Sequence, residues 1–566
     1  MQFGPLNTRR TLLGLGCALL LAWCVGLFAR GYWTPDEPRE ADIAWRMSWQ
    51  ADKAVPLLAG DAFCEKPPLT YWLAALPIKL LGTQAWVARL PNLLYALITA
   101  LGVGLLGARS LGRFAGLAAA ATISTFLLAY QVAIWLATDA PLLAAVSVAL
   151  LGAYIGFYAT TSPERLRGYL LMHTALAFGF LSKSAVAWMV PALAILTLSI
   201  WEKRWRELLR WELYAGLLIQ AALILTWVWF VYRGNDGPEH LKVFFWNNLV
   251  GRFAAVDAPP DLQYAAAHRN SPGKYLIELP LYLFPWTLLV IAAARRAWRQ
   301  RRASLQENRA VRFALAASLP PLLVLSFAAT ARNIYLAPAL PGLALLVGWW
   351  AREILPGPDS WDVRALRATA AMLLLGAAVF AAALAVLGAD IYAAVSLAGL
   401  SAAAILAIRA WAAAREHAVH AQWALLLAYC ALLIGPASQV YRRVDAWQDL
   451  AKIGRAVERD TAGRPLILLA PDETTRAIID MYARPSVERI AGPVDAAAID
   501  RIRSAAAAAP MSLFLVQLPS QSPQLPWRRR SPQADLPPAW EAAKIQMAKS
   551  YSLPNGRRYA LLQVTP

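Results

Sequence analysis

The chain has 566 residues and a mean hydropathy of +0.44; 59% of its residues are hydrophobic, 16% are charged, and 24 are tryptophan. This composition excludes an ordinary soluble domain and is typical of a multi-pass membrane protein with aromatic belts. The net charge of +19 comes mostly from basic residues in short segments between apolar runs, so we attribute it to membrane topology and exclude nucleic-acid binding.

The first apolar run, residues 11–30, follows Arg9 and Arg10, a pattern shared by signal peptides and signal anchors. The run is long enough to cross a bilayer, and no clean small-residue cleavage motif precedes Trp33. We therefore predict an uncleaved membrane anchor, with a cleaved signal peptide as the alternative.

Twelve further apolar segments have the composition of membrane-spanning helices. They are residues 87–108, 114–137, 141–160, 168–181, 185–200, 211–232, 275–294, 311–330, 334–350, 368–387, 392–410 and 422–440. With the anchor they predict about thirteen transmembrane helices. The apolar segment at residues 69–81 is too short to cross comfortably, so we predict that it lies on the outer surface.

The basic residues predict the orientation of these segments. With residues 69–81 on the outside, the arginine-rich connections all face the cytoplasm, as the positive-inside rule requires. These connections include residues 109–113, 165–167, 203–210 and 295–312. The same assignment puts residues 32–86 and 233–274 on the opposite, periplasmic face, together with the short junctions around Asp139, Lys183 and Arg332. We expect the functional site on that face.

After residue 440 the sequence has ordinary polar content and predicts a separate, small α/β domain on the periplasmic side, residues 441–566. Residues 465–470, 511–518 and 559–564 have the character of strands, and residues 473–482 and 495–508 that of helices. The predicted fold is therefore a polytopic α-helical membrane domain, residues 1–440, with periplasmic juxtamembrane helices, followed by this α/β domain.

An acidic pair, Asp36 and Glu37, follows the anchor and is bracketed by Pro35 and Pro38. This composition is typical of the start of a helix, where an acid caps the backbone. An aspartate at the edge of a membrane can alternatively deprotonate or orient an acceptor, or bind a cationic group of a substrate. The residues alone leave both interpretations open.

Two basic residues are placed to meet a phosphate. Glu65 and Lys66 precede a Pro-Pro pair where the first outer loop returns to the membrane. A lysine there can snorkel to the lipid headgroups, or it can contact the phosphate of a lipid-linked substrate. Arg252, in the second outer loop, could add a bidentate contact.

Further polar candidates lie at the outer ends of the predicted spans or in the second outer loop. Asp139 precedes an Ala-Pro pair, which suits a helix cap as well as a functional acid. Lys183 has no acid nearby in sequence and could be part of a turn or a functional cation. His268 would bind a metal only with acidic partners. Arg332 and Tyr335 complete the set.

The order of these residues resembles a known family. The motifs are Asp-Glu at 36–37, Glu-Lys-Pro-Pro at 65–68, Thr-Asp-Ala-Pro at 138–141, Ser-Lys-Ser at 182–184, Gly-Arg-Phe at 251–253 and Tyr-Leu-Ala-Pro at 335–338. In that order they are similar to the motifs of the protein O-mannosyltransferase-like membrane glycosyltransferases, which share the C-type glycosyltransferase fold. Within that group they most resemble the bacterial aminoarabinose transferases that modify lipid A. The resemblance covers residues 33–341.

The resemblance implies a glycosyltransferase that uses an undecaprenyl-phosphate-linked sugar at the periplasmic face of the bacterial inner membrane. The expected sugar is 4-amino-4-deoxy-L-arabinose, and the expected acceptor is a lipid A phosphate. Asp36 and Asp139 match the family's acidic catalytic positions. Lys66 and Arg252 match its donor-phosphate contacts, and we expect Arg39 to join them.

Five more residues are expected to line the site: Glu37, Glu65, Lys183, Arg332 and Tyr335. The implied chemistry requires no cofactor, although a divalent metal such as zinc could bind through Glu65 and His268. The expected partners are the lipid-linked sugar donor, lipid A or another envelope acceptor, and the membrane lipids.

Two departures from the aminoarabinose pattern leave the sugar and the acceptor open. Residues 247–249 are Asn-Asn-Leu where relatives have Glu-His, and residues 331–333 are Ala-Arg-Asn where a Lys-Gly-Lys run is expected. Transfer of another sugar to protein or to another envelope acceptor is the main alternative. A lipid or ion transporter is disfavoured because the charges avoid the middle of the spans and no internal repeat is visible.

Overall fold

A computed structural model describes residues 8–250, 256, 271–328, 332–387, 392–483, 487–490, 497–509, 511–523, 540 and 545–564. Arg252 and His268 lie outside this set. The helices up to residue 448 are α1 (Thr8–Phe28), α2 (Asp36–Trp49), α3 (Leu69–Leu81), α4 (Ala85–Ala88), α5 (Leu90–Leu111), α6 (Arg113–Thr125), α7 (Leu127–Ile134), α8 (Asp139–Tyr158), α9 (Ser162–Lys183), α10 (Val186–Trp201), α11 (Trp211–Ala215), α12 (Leu217–Arg233), α13 (Gly237–Lys242), α14 (Lys274–Tyr282), α15 (Thr287–Arg299), α16 (Arg309–Ser326), α17 (Leu340–Glu353), α18 (Ser360–Leu387), α19 (Ala393–Ala413), α20 (Ala418–Ile434) and α21 (Pro436–Gln448).

Each of the thirteen predicted apolar segments is largely helical. Within the described residues, eight helices are long and apolar enough to cross a membrane, or up to ten if each bent helix pair counts as one span. The protein is therefore a polytopic helical membrane protein. The short apolar segment Leu69–Leu81 forms α3, which packs against α2.

Two predicted spans are broken where a straight helix was expected. Helices α14 and α15 meet at 111°, and Pro280 and Pro285 at this corner remove backbone donors that a continuous helix would need. Helices α6 and α7 meet at 65° at Phe126, whose ψ of 131° is not helical. Just before that break the hydroxyls of Thr122 and Thr125 bond back to carbonyls one turn earlier, which favours bending.

Small residues allow the central helices to approach closely. A Cβ atom on Gly168 of α9 would lie 2.3 Å from the backbone nitrogen of Gly156 in α8, and one on Gly152 would lie 2.6 Å from the Gly168 oxygen. Since helices in lipid associate mainly through close packing, these glycines explain why α8 and α9 form a tight antiparallel pair.

The C-terminal region contains a mixed five-stranded sheet. The elements of this region are α22 (Leu450–Thr461), β3 (Leu466–Leu469), α23 (Glu473–Ala483), β4 (Val487–Ile490), α24 (Ala497–Ala508), β5 (Leu513–Leu518), β6 (Ile545–Ser552) and β7 (Arg558–Val564). Earlier in the chain, β1 (Leu57–Leu58) and β2 (Asp61–Ala62) form a small hairpin between α2 and α3. The sheet order is β4-β3-β5-β7-β6, with β3 parallel to β4 and β5, and β7 antiparallel to β5 and β6. In the described residues, β3, β5 and β7 fall at the three predicted strands and α23 and α24 at the two predicted helices, whereas α22, β4 and β6 were not predicted.

The C-terminal region shares a hydrophobic core with the segment between α1 and α5. Ile43 of α2 and Tyr71 of α3 belong to the same buried cluster as Ile453 of α22, Ile478 of α23 and Leu468 of β3. Residue 440, the predicted boundary, lies inside α21, which continues to Gln448 before α22 begins. The two regions are therefore joined both by a helix and by a common core.

A charged network reinforces this junction. Arg46 of α2 binds Asp42 one turn earlier at 3.0 Å and reaches Asp480 of α23 at 2.7 Å. Arg489, next to Asp480 at 3.5 Å, also binds Asp61 of the small hairpin at 3.1 Å. Asp42 and Arg46 are buried, so their charges are paired away from bulk water.

Candidate active site

Helix α2 separates its charged residues onto different sides. Asp36, Arg39 and Glu40 are spaced i, i+3, i+4 and therefore share one face, while Glu37 points elsewhere. Asp36 is the first helical residue and follows Pro35 at the N-cap position, where no side-chain cap forms. Its carboxylate is thus not used to cap the helix and is directed at a neighbouring cation.

That neighbouring cation is Arg332, a predicted site residue 296 positions later in the chain. Its Nη1 atom lies 2.9 Å from Oδ1 of Asp36, whose side chain is 23% exposed. The hydroxyl of Tyr275 donates to the Arg332 carbonyl at 2.6 Å and holds this segment in place. Burial alone would lower the pKa of Arg332, but the Asp36 charge, with smaller contributions from Tyr335 and Asp139, outweighs burial and raises it.

A second ion pair lies close enough to Arg332 for its acid to act on the Arg332 charge. Lys183 at the end of α9 binds Asp139 at the start of α8 at 2.5 Å, and the Asp139 side chain is only 2% exposed. The Lys183 ammonium also lies 4.2 Å from the ring centroid of Tyr335, a cation–π distance. The acid that sequence proximity did not reveal for Lys183 is therefore Asp139, 44 residues earlier.

Lys66 lies towards the other end of the same α2 face. It binds Glu40 of α2, and the negative charges of Glu40 and Glu65 outweigh the effect of burial, so the pKa of Lys66 is raised and the side chain stays charged. Lys66 also borders a narrow apolar cleft that includes Trp227 and Phe244. This placement puts one fixed positive charge beside a small apolar cavity.

Arg39 connects this face to the C-terminal region. Its Nε atom lies 2.8 Å from Oε2 of Glu473, at the start of α23. Burial lowers the pKa of Arg39, but Glu473 and, more weakly, Glu65, Glu40 and Asp36 outweigh it, so the pKa is raised. We expected Arg39 only to contact a donor phosphate. In the structure it is already paired with the carboxylate of Glu473, in the C-terminal region.

Glu37, expected to line the site, is instead completely buried beneath it. Its carboxylate accepts hydrogen bonds from Arg30 at 2.5 and 3.1 Å and from Arg89 at 2.7 and 2.9 Å. All three side chains are 0% exposed. The backbone N–H groups of Trp33 and Leu136 complete its hydrogen bonds at 2.8 and 2.9 Å. We call Glu37, Arg30 and Arg89 the buried clamp.

The buried clamp joins four parts of the fold below Asp36. Arg89 donates to the carbonyls of Leu27 and Arg30, and Arg30 donates to the carbonyl of Ile134. Burial would raise the pKa of Glu37, but the two guanidinium groups outweigh it and lower that pKa to about 2. The clamp therefore contributes its full stability above the ordinary pKa of 4.5, and this stability is lost as the pH falls from 4.5 towards 2.

The described residues bring together most of the predicted set. Asp36 interacts with both Arg332 and Arg39. The charges of Asp139 and Tyr335 also act on Arg332, Lys183 binds Asp139, and the charge of Glu65 acts on both Arg39 and Lys66. In the part of the chain described here, no group of three His, Cys, Asp or Glu side chains could hold a metal ion.

Four important partners were not predicted: Arg30, Glu40, Arg89 and Glu473. The position of Arg89 could have been noticed in the sequence, because a charge at the start of an apolar segment requires a buried partner. Glu473 carried none, because it is an ordinary first-turn acid of an amphipathic helix.

The arrangement is a row of alternating charges beside an apolar cleft. Each cation in it is held by one carboxylate, which keeps the cations charged and in place. A phosphate could add to these cations, and a cationic group or an acidic proton could be received by Asp36 or Asp139.

Comparisons with known proteins find similarity to the group of proteins that the motifs resemble. Residues 65–230 match the dolichyl-phosphate-mannose-protein mannosyltransferase family. The chain is 31% identical over 345 residues to an undecaprenyl phosphate-alpha-4-amino-4-deoxy-L-arabinose arabinosyl transferase of Pseudomonas aeruginosa, covering 61% of this chain and 60% of that one. It is 30% identical over 391 residues to the protein of the same name from Pectobacterium carotovorum, covering 69% of this chain and 66% of that one. The chain thus matches about three fifths to two thirds of the length of these relatives.

The fold agrees over nearly the whole chain. The crystal structure of ArnT from Cupriavidus metallidurans bound to undecaprenyl phosphate superposes with a TM-score of 0.71 at 18% identity and covers 98% of both chains. The apo form of the same protein gives a TM-score of 0.69 at 18% identity, covering 98% of this chain and 99% of that one. The chain is therefore similar in sequence to undecaprenyl-phosphate aminoarabinose transferases and shares the fold of ArnT.

Proposed function

We propose that the protein transfers 4-amino-4-deoxy-L-arabinose from undecaprenyl phosphate to a lipid A phosphate at the periplasmic face of the inner membrane. The observation that carries the proposal is the row of charges on α2, with Asp36 interacting with both Arg332 and Arg39 and with Lys66 beside an apolar cleft. Such a row suits a substrate with a phosphate and a sugar amine. The names of the relatives, which state the donor and the sugar, support the same reaction.

In the proposed reaction an oxygen of the acceptor phosphate bonds to the anomeric carbon, and the bond from that carbon to the undecaprenyl phosphate oxygen breaks. Lys66 and Arg252 stabilise the charge that grows on the leaving phosphate, a contribution of about 3 kcal/mol per well-placed donor. A phosphate acceptor is already an anion and needs no strong base. Asp36 and Asp139 would then orient the acceptor or bind the sugar amine, whereas with a hydroxyl acceptor Asp36 would be the general base.

The deciding experiment supplies membranes containing the protein with undecaprenyl-phosphate-linked sugars and identifies the modified molecule by mass spectrometry. Addition of a pentosamine to lipid A is the expected result. Addition of a sugar to protein would replace the proposal by the mannosyltransferase-like alternative, which the family match to residues 65–230 would then explain. Binding of the lipid without any transfer would favour a transporter.

Removing Lys66 should weaken donor binding. We expect Lys66→Ala and Arg252→Ala each to reduce the affinity for undecaprenyl phosphate by about 1.5–3 kcal/mol, the range for a hydrogen bond to a charged group. The double variant should lose less than the sum, because both cations contact one anion. A binding titration measures all three variants, and simple additivity would mean that the two residues serve separate sites.

We also propose thirteen membrane crossings, with α3 on the outer surface and the C-terminal α/β region in the periplasm. This topology is supported by ion pairs among the predicted cytoplasmic connections. In these pairs Arg109 binds Glu164, Arg165 binds Glu212, and Arg312 binds Glu202. A reporter that is active only in the periplasm, fused after Pro566, should be active. A cytoplasmic signal from that fusion would overturn the assignment.

The proposed reaction requires no resident cofactor. A divalent metal bound by Glu65 and His268 remains a separate proposal. Metal analysis of the purified protein, before and after His268→Ala, would test it: a metal retained by the variant would place the ion elsewhere, and a metal-free active protein would remove it from the reaction.

A further inference from the structure

One face of α21 contacts the segment that leads into Asp36. Tyr441 and Asp445 are spaced i, i+4 and so lie on the same side of the helix. Asp445 accepts two hydrogen bonds at a single oxygen, from the backbone N–H of Gly31 at 2.7 Å and from the indole N–H of Trp33 at 3.2 Å. The Tyr441 ring packs edge-on against Trp33 with centroids 5.8 Å apart. The contact is therefore both polar and aromatic.

The same helical face continues to Gln448, three residues after Asp445. Its side-chain oxygen accepts a hydrogen bond of 2.9 Å from the hydroxyl of Thr34. Residues 31, 33 and 34 are thus all held by α21, and the next helix, α2, begins at Asp36.

Both backbone polar groups of Gly31, its N–H and its carbonyl, are hydrogen-bonded to side chains. Asp445 accepts from its nitrogen, and Arg89 of the buried clamp donates to its carbonyl at 2.5 Å. A Cβ atom at position 31 would lie 2.9 Å from the Asp445 carboxylate, so only glycine leaves room for this approach. The segment before Asp36 is therefore fixed between α21 and the clamp.

Helix α21 also leads directly into the C-terminal region. The backbone N–H of Asn555, in the turn between β6 and β7, donates to the carbonyl of Trp447 at 3.2 Å. Any movement of the C-terminal region that shifts the end of α21 would shift Asp445 and with it residues 31–34.

We propose that Asp445 is a positioning residue for the sugar transfer: it fixes Gly31 and Trp33 so that Asp36 meets the substrate in the reactive geometry. The role rests on the proposed function. It requires hydrogen-bond acceptance by one oxygen, which asparagine can supply and alanine cannot.

The test compares Asp445→Ala with Asp445→Asn in the full-length protein. We expect Asp445→Ala to lower kcat for transfer by about 10–100-fold, since a misplacement on the order of 1 Å costs up to about 100-fold. The KM for the lipid-linked donor should change less than about threefold, because Lys66 and Arg252 are untouched. Asp445→Asn should restore kcat to within about threefold of the wild type. A wild-type kcat for Asp445→Ala, or an Asp445→Asn protein as slow as Asp445→Ala, would overturn the proposal.

Hydrogen exchange supplies a readout that does not depend on activity. Deuterium uptake by a peptide covering residues 31–37 should rise in Asp445→Ala and stay near the wild-type level in Asp445→Asn; equal uptake in all three proteins would overturn the proposal. If the wild type showed no transfer but the exchange pattern were as expected, the proposed function would fail while the positioning contact stood.

Two further variants separate positioning from general damage. Asp460→Ala removes an acid that binds Lys549 and Tyr551 elsewhere in the C-terminal region, so it should leave kcat unchanged. Gly31→Ala keeps the Asp445 carboxylate but forces it away, and should lower kcat by about 10-fold, which tests the proposal should Asp445→Ala not fold. A folded Gly31→Ala protein with wild-type kcat would count against it.

Discussion

Replacing Asp36 by asparagine is expected to lower the rate of sugar transfer by about 100–10,000-fold, the usual range for a residue that handles a proton or charge in the transition state. Asparagine keeps the size of the side chain and can still accept the 2.9 Å hydrogen bond from Arg332. What it removes is the negative charge that would bind the sugar amine or orient the acceptor. Single-turnover transfer measured by mass spectrometry, with undecaprenyl phosphate binding measured beside it, separates lost chemistry from lost binding.

A matched control for this variant is Asp236→Asn. Asp236 lies between α12 and α13 with a φ of +54°, a conformation that asparagine tolerates as well as aspartate does. The same chemical change should leave transfer unchanged there. If Asp36→Asn turned over donor at the wild-type rate, Asp36 would be only an acidic residue in the first turn of α2.

The second large effect concerns the buried clamp. Glu37→Gln should destabilise the protein by about 3–5 kcal/mol, because two fully buried guanidinium groups would lose their only shared carboxylate among the described residues. Denaturant unfolding of purified protein in detergent measures the loss. Transfer activity should fall in parallel, since the clamp holds the start of α2.

The control for Glu37 is a carboxylate in an exposed pair. Glu239 and Lys242 lie 3.6 Å apart with side chains 63% and 60% exposed, so Glu239→Gln should cost about 0–1 kcal/mol. Equal stability of Glu37→Gln and Glu239→Gln would show that the clamp does not stabilise the fold.

Much of the helical fold could be predicted from the sequence because hydropathy is a local property. Each predicted apolar segment contains helix, and the short segment before α4 forms α3. The bends at Phe126 and between Pro280 and Pro285 were not predicted, although the prolines marked the second one. Strand β6 was missed because its residues are mostly exposed and do not alternate.

The grouping of candidate residues could be predicted in part, because Asp36, Lys66, Asp139, Lys183 and Tyr335 stand in ordered motifs that resemble a family; their roles stay a prediction. Their partners could not be predicted. Arg89 binds a residue 52 positions away, and Arg332 one 296 positions away, so no spacing pattern within a window reports either pair.

The contact between Gly31 and Asp445 spans 414 residues, and that between Arg46 and Asp480 spans 434. At a synthesis rate of about 5–20 residues per second, the first outer loop therefore waits on the order of 20–80 s for the segment that completes it. During that time the apolar faces of α2 and α3 lack the helices that cover them in the finished protein. The segment that carries Asp36 is thus among the first to be synthesised and among the last to gain all of its contacts. A chain whose synthesis stopped before residue 445 would lack the contacts that Asp445 and Asp480 make with this segment.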